Sequence, residues 1–206
     1  MLIPGKQGGV TLIELMIGIV IISLLMVIGA PSFSLWIQNT QTRTAAESVQ
    51  NGLQIARTEA VRRNTNVRFN LTDAGGKVAW TVCLNVTASP CAAADTVQSR
   101  SGSEGGVNAR AGVSVAALPS PIPAEHFSAT LAAGAGLPAG VTFDGMGRVP
   151  ALNPDGTANN DDITRVDVTN AANAGVRRMV IVIGTGGQTR MCDPALALAA
   201  NPQGCS

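Results

Sequence analysis

Apolar positions are distributed along this chain in two unlike ways. No charged residue occurs between Leu15 and Ile37, and the run is almost wholly apolar. It is longer than the roughly 20 residues that suffice to span a bilayer. From Gln38 to Arg63 the apolar residues thin to a stripe, Ala46, Val49, Leu53, Ala56 and Ala60, spaced three and four apart. That is one face of an amphipathic helix. Together the two patterns predict one helix from Thr11 to Asn64, roughly 80 Å long at 1.5 Å per residue. Pro31 removes a backbone hydrogen bond and predicts a kink. Gly18 and Gly29 weaken the helix locally.

After Asn64 the pattern shortens to strands. Asn66–Leu71 and Val78–Leu84 read as a hairpin around Asp73-Ala-Gly-Gly76. Residues 92–139, rich in Ala, Gly, Ser and Pro, read as long loops with short strands at Val113–Leu118 and His126–Leu131. Gly140–Phe143 and Arg148–Leu152 suggest a second hairpin across Asp144-Gly-Met-Gly147, and Asn153 to Asp162 a polar turn. Ile163–Thr169, Arg178–Ile183 and Gln188–Cys192 read as further strands, the last two joined at Gly184-Thr-Gly-Gly187. A long helix followed by many strands is an α+β layout. The expected fold is a long N-terminal α-helix, with a transmembrane half and an amphipathic half, packed on a small antiparallel β-sheet or sandwich. The organisation is 1–9 leader, 10–37 hydrophobic helix, 38–65 amphipathic continuation and 66–206 β-rich globular domain.

Composition narrows this further. Aromatics are 3% with no Tyr, so the core rests on Val, Leu, Ile and Ala. Lys+Arg is 14 against 13 Asp+Glu, and without Lys6 of the leader the two balance. No global field favours nucleic acid. Four cysteines, Cys83, Cys91, Cys192 and Cys205, lie outside the apolar run, as suits an exported domain with disulfides. Three pairings are open. The local ones, Cys83–Cys91 and Cys192–Cys205, are favoured because each closes a short loop. Neither pair has C-x-x-C spacing and the single His126 is remote from both, so the expectation is no metal. His126 lies beside Glu125 in a Pro-rich loop without a nucleophile partner. Gly184-Thr-Gly-Gly187 lacks the Gly-Lys-Ser/Thr ending of a phosphate loop. Neither an enzyme nor a cofactor is expected.

One acid, Glu14, stands at the front of the apolar run, where a charge in a membrane costs about 2.5–3.5 kcal/mol on insertion scales. A secretory signal does not explain the segment, because its apolar core is shorter and its cleavage site follows it. Here the small pair Gly8-Gly9 precedes the run. Gly9, Val10 and Thr11-Leu-Ile-Glu-Leu15 resemble the type IV prepilin signal. The resemblance implies cleavage after Gly9 by a prepilin peptidase and N-methylation of Val10, although the family usually has Phe there. It also implies that Glu14 pairs with the N-terminal amine of a neighbouring subunit during assembly. Pro31 matches the family's position for a helix bend.

Phe143-Asp-Gly-Met-Gly-Arg148, Arg177-Arg-Met-Val-Ile-Val182 and Gly187-Gln-Thr-Arg-Met-Cys192 resemble the GspH/FimT group of minor pilins and pseudopilins. That resemblance implies a minor type IV pilin that assembles into or primes a pilus. The alternatives are a type II secretion minor pseudopilin and a DNA-binding minor pilin for natural transformation. It implies other pilin or pseudopilin subunits as partners. It further implies a bacterial inner-membrane location, single-pass, with the C-terminal domain periplasmic until assembly into a pilus or pseudopilus. DNA-binding members use a Gly-Arg-x-Arg turn. This chain keeps Gly187 and Arg190 but has Gln188, so DNA contact would fall to Arg177, Arg178 and Arg190, and a plain hairpin is the favoured reading. Asn153 to Asp162 offers oxygen ligands for calcium, but the spacing fits ordinary turn chemistry better. Arg57, Arg62, Arg63 and Arg68 gather where the helix ends, in keeping with the helix dipole. The alternative for them is a neighbouring subunit, with Glu47 or Glu59 as partners.

Overall fold

The computed structural model describes residues 9–84, 91–123, 125–153 and 155–205, without the side chains of 28–31. The leader ahead of Gly9 and the side chain of Pro31 therefore lie outside the described residues. The chain divides into two compact units, Met1–Ile37 and Gln38–Ser206, and the boundary falls inside the single helix α1, Leu12–Arg63.

In the first unit α1 begins on Thr11, whose hydroxyl accepts the backbone N–H of Glu14 at 3.3 Å while its carbonyl accepts that of Leu15. Thr11-x-x-Glu14 has the spacing of a capping box. The apolar side chains that follow are bare: Leu12 is 78% exposed, Leu24 62% and Val27 77%.

In the second unit the predicted stripe is wholly buried, with Ala46, Val49, Leu53, Ala56 and Ala60 each at 0% exposure. Gly52 lies on the same face, where a Cβ would stand 2.7 Å from the Phe69 ring and 3.1 Å from the Trp80 ring. The glycine costs helix propensity but lets the two aromatics close on the backbone. Their ring centroids are 5.8 Å apart.

Among the described residues eight strands follow: β1 Val67–Leu71, β2 Trp80–Cys83, β3 Thr96–Arg100, β4 Ala109–Ser114, β5 Ala139–Phe143, β6 Arg165–Asn170, β7 Met179–Ile183 and β8 Thr189–Cys192. They form two four-stranded sheets, β3-β2-β1-β5 and β4-β6-β7-β8, and every strand pair is antiparallel. Phe69 lies opposite Val82 on one side and Val141 on the other; Val166 lies opposite Ile181. Both sheets and the helix stripe feed one apolar cluster. The protein is thus α+β, a long helix whose second half packs on two small antiparallel sheets.

Three sequence expectations need correction. Val113–Leu118 overlaps β4 only at its end, since the strand begins at Ala109; β3 had no expected counterpart. His126–Leu131 forms turns rather than a strand. Its carbonyls at His126, Phe127 and Ala129 accept hydrogen bonds from Arg165 and Arg178, which occupies them in place of a ladder. Arg148–Leu152 is not a strand either; β5 pairs with β1 instead, and Val149 donates its N–H to Thr185 at 3.0 Å.

Candidate functional site

Two sets of residues can carry function, one in each unit. In the first, Gly9 and Val10 are exposed, with Val10 at 72%. A Cβ on Gly9 would meet nothing within 4 Å, so packing gives no reason for glycine there. Glu14 follows on the first turn of α1, where the helix dipole favours a carboxylate. No single helix among the described residues is long and apolar enough to cross a membrane. The paired segments Leu12–Val27 and Ser32–Arg63, divided at residues 28–31, meet that test together by length and composition.

In the second unit, two of the three segments quoted above for their resemblance meet at Arg57 of α1, through the turns at Gly147 and Gly187. In the Asp144–Gly147 turn, the carboxylate of Asp144 accepts the N–H groups of Met146 and Arg148, both at 2.9 Å, and the Arg148 guanidinium at 3.1 Å. Burial raises its pKa, but those backbone bonds and the guanidinium outweigh it and hold the carboxyl below its usual range. Arg57 donates Nε–H to the Gly147 carbonyl at 2.9 Å and reaches the Gly186 carbonyl at 3.5 Å. Gly187 has φ 75°, and a Cβ there would collide with the Gly147 carbonyl oxygen. Arg57 and Gly187 together let the β5–β6 and β7–β8 connections meet at the end of the helix.

The three arginines assigned above to DNA contact each have an internal partner. Arg177 pairs with Asp193, and Arg178 pairs with Asp167. Arg190 donates to the carbonyls of Gly204 and Cys205. Cys83 is bonded to Cys91 and Cys192 to Cys205, and the described residues hold no free cysteine. In the Asn153–Asp162 stretch, Thr157 donates to Asp155 through its hydroxyl at 2.6 Å and its N–H at 3.0 Å, which lowers the Asp155 pKa. Asp162 accepts Arg68 at 2.7 Å, the Thr142 N–H at 2.9 Å and Asn159 at 2.8 Å. Among the described residues no cluster of three or more His, Cys, Asp or Glu could hold a metal. At the end of α1, hydrogen bonds from Arg62 and then Arg63 lower Glu59 to about 2.

The sequence places Thr11 at the helix start and Arg57 and Asp162 among the candidate residues, but the cap that Thr11 makes and the partners of the other two are seen only in the structure. Thr11 was findable from its capping-box spacing. Arg57 and Asp162 act on partners 90 and 94 residues away, and no local pattern encodes such a pairing.

Residues 4–30 match the prokaryotic N-terminal methylation motif, and residues 45–187 match the family described as type II transport protein GspH. Two solved chains align, both crystal structures of the Pseudomonas aeruginosa type IV minor pilin FimU. One shares 20% identity over 80% of this chain and 99% of that chain, with a TM-score of 0.44. The other shares 19% over 80% and 94%, with a TM-score of 0.45. No curated protein matches the chain.

Proposed function

This chain belongs to the type II transport protein GspH family of minor pilins and pseudopilins, and we propose that it works as a minor type IV pilin that assembles into, or primes, a pilus. The carrying observation is Glu14. It is an exposed carboxylate on the first turn of α1, four residues beyond Val10, ahead of a run of bare apolar side chains. Prepilin peptidase cuts after Gly9 and Val10 is then N-methylated. The new amine is cationic near neutral pH, and its pairing with Glu14 of a neighbour relieves the cost of a lone carboxylate in an apolar filament core. The chain sits in the inner membrane as a single pass, and its disulfide-bonded domain lies in the periplasm until assembly. Pro31 supplies the bend that lets the apolar half adjust to its neighbours. Arg177, Arg178 and Arg190 are occupied within the domain, which favours assembly over DNA contact, and the altered Gly-Gln-Thr-Arg turn agrees.

The test combines intact-mass measurement with filament shearing. Cleavage after Gly9 plus a single methyl group is expected at the N-terminus. Glu14→Ala is expected to insert in membranes at normal levels and to drop at least about tenfold in the sheared filament fraction, a loss of about 1.4 kcal/mol in assembly free energy. Normal incorporation of that variant overturns the proposal. A secretion pseudopilin is distinguished by deletion of the gene: loss of protein secretion with pilus number unchanged selects it.

A further inference from the structure

Successive side chains of a strand point to opposite faces of its sheet. In the second sheet Val166, Val168, Ile181 and Ile183 face the main core. The other face carries two cross-strand rows. Asp167, Val180 and Cys192 stand side by side in one, and Arg165, Val182 and Arg190 in the other. Two irregular stretches lie against this outer face, residues 125–131 and the tail beyond Asp193. Phe127 and Cys205 join Val180 and Cys192 in a small apolar cluster separate from the main core, with Ile122 and Val182 packed against it.

The 125–131 stretch is tied down by polar groups and by one ring. Arg165 donates to the carbonyls of His126 at 3.1 Å and Ala129 at 2.6 Å, and Arg178 donates to those of Phe127 and Ala129. Asp167 accepts the Leu131 N–H at 3.0 Å. Each of these groups can exchange its partner for water when the stretch lifts, so the net worth of each tie is far below its strength in isolation. The apolar hold is Phe127, the one buried residue of 125–131, with the Arg165 guanidinium 5.1 Å from its ring centroid. One wall of its cluster comes from the tail. No residue of 195–203 is buried. Arg190 holds the carbonyls of Gly204 and Cys205, and Asp193 donates its N–H to Gln203 at 2.7 Å. Cys205 is what the tail places in the cluster, and its bond to Cys192 keeps it there.

We propose that Cys192–Cys205 is a redox-operated clasp for residues 125–131. Closed, it keeps Cys205 in the cluster with Phe127; opened, it frees the tail and then the 125–131 strap, and bares the outer face of the second sheet. Dithiothreitol opens it by supplying two electrons and two protons: the S–S bond breaks, each sulfur becomes a thiol, and the reagent closes into its own cyclic disulfide. The clasp does not rest on the assembly reading above. The test is amide hydrogen exchange of the full chain in detergent. With Cys192→Ser and Cys205→Ser together, the amides of 125–131 are expected to exchange at least about tenfold faster than in the oxidised chain, while those of Val67–Leu71 stay protected. Dithiothreitol is expected to do the same to the unaltered chain, and reoxidation to reverse it. Cys83→Ser with Cys91→Ser is expected to leave 125–131 unchanged. Phe127→Ala in the oxidised chain is expected to loosen 125–131 and leave the tail as it was. Loosening confined to the tail overturns the proposal, because the arginines then hold the strap without it. Equal loosening of Val67–Leu71 also overturns it, since the disulfide then supports the whole domain. So does a bond that dithiothreitol leaves closed, or a selective loosening of 125–131 when Cys83 and Cys91 are replaced.

Discussion

The two halves of α1 share one secondary structure and have opposite environments. Before Ile37 the apolar side chains are bare, as with Leu24 at 62% exposure; after Gln38 a five-residue stripe is buried to 0%. The difference lies in where the complement of each half is found. The second half meets two sheets from its own chain, and its small residues, Ala46, Ala56 and Ala60 with Gly52, let backbone and rings approach closely. The first half has no such complement within the described residues of its unit. Bare apolar surface on that scale marks a lipid or protein partner, and membership of a pilin and pseudopilin family implies association with other pilin subunits.

The sharpest way to break this comparison is a matched truncation. Leu53→Ala is expected to destabilise the folded domain by about 2–5 kcal/mol, as buried leucines do. Leu24→Ala should leave domain stability within about 0.5 kcal/mol. Thermal unfolding of the full chain in detergent, followed by near-ultraviolet circular dichroism, measures both. Equal shifts in the two variants would mean that the halves are not distinct. Next in size is the Cys192–Cys205 disulfide, with a sequence separation of 13. The chain-entropy model gives about 3 kcal/mol for a loop of such length, so Cys192→Ser with Cys205→Ser should lower the denaturation midpoint accordingly. Gly187→Ala follows at about 1–3 kcal/mol, because it combines a positive φ with the collision against Gly147. Its effect should not add fully to that of Arg57→Ala, since both hold the same pair of turns, and a double-mutant cycle in urea reads the coupling.

The smallest effect is a pH dependence at the end of α1. Glu59 sits at about 2 in the folded protein against an ordinary 4.5. Its carboxylate therefore contributes stability that is full above 4.5, falls as pH drops and is lost near 2. Glu59→Gln should flatten that part of the acid unfolding curve and leave stability above pH 6 changed only slightly, because Arg62 is largely exposed and solvent screens its pairing.

Much of the fold was legible in advance because its signals are local. The helix was readable from its apolar run and stripe, β1 and β2 from their hairpin, and β6 to β8 from apolar runs set between turn residues. The segments that failed are those whose hydrogen bonds go to distant side chains. Residues 126–131 look like a strand in sequence, yet their carbonyls serve Arg165 and Arg178. Arg148–Leu152 follows a turn and alternates well enough, yet Val149 bonds to Thr185 instead of to β5. The candidate site divides in the same way. Gly9, Val10 and Glu14 lie in the stretch that matches the N-terminal methylation motif, and a local spacing of that kind is readable from sequence. Arg57 drew notice only as one of four arginines near the helix end.

By itself the sequence determined the N-terminal methylation motif, the extent of α1 and the α+β class, because each follows from residue type and period along a short stretch. Tertiary structure alone decided that the strands form two sheets and that Arg57 joins two turns. It also decided that Asp167 occupies Arg178. Those features depend on which distant groups meet, and hydrogen bonds and packing across many residues of separation leave no period in the chain.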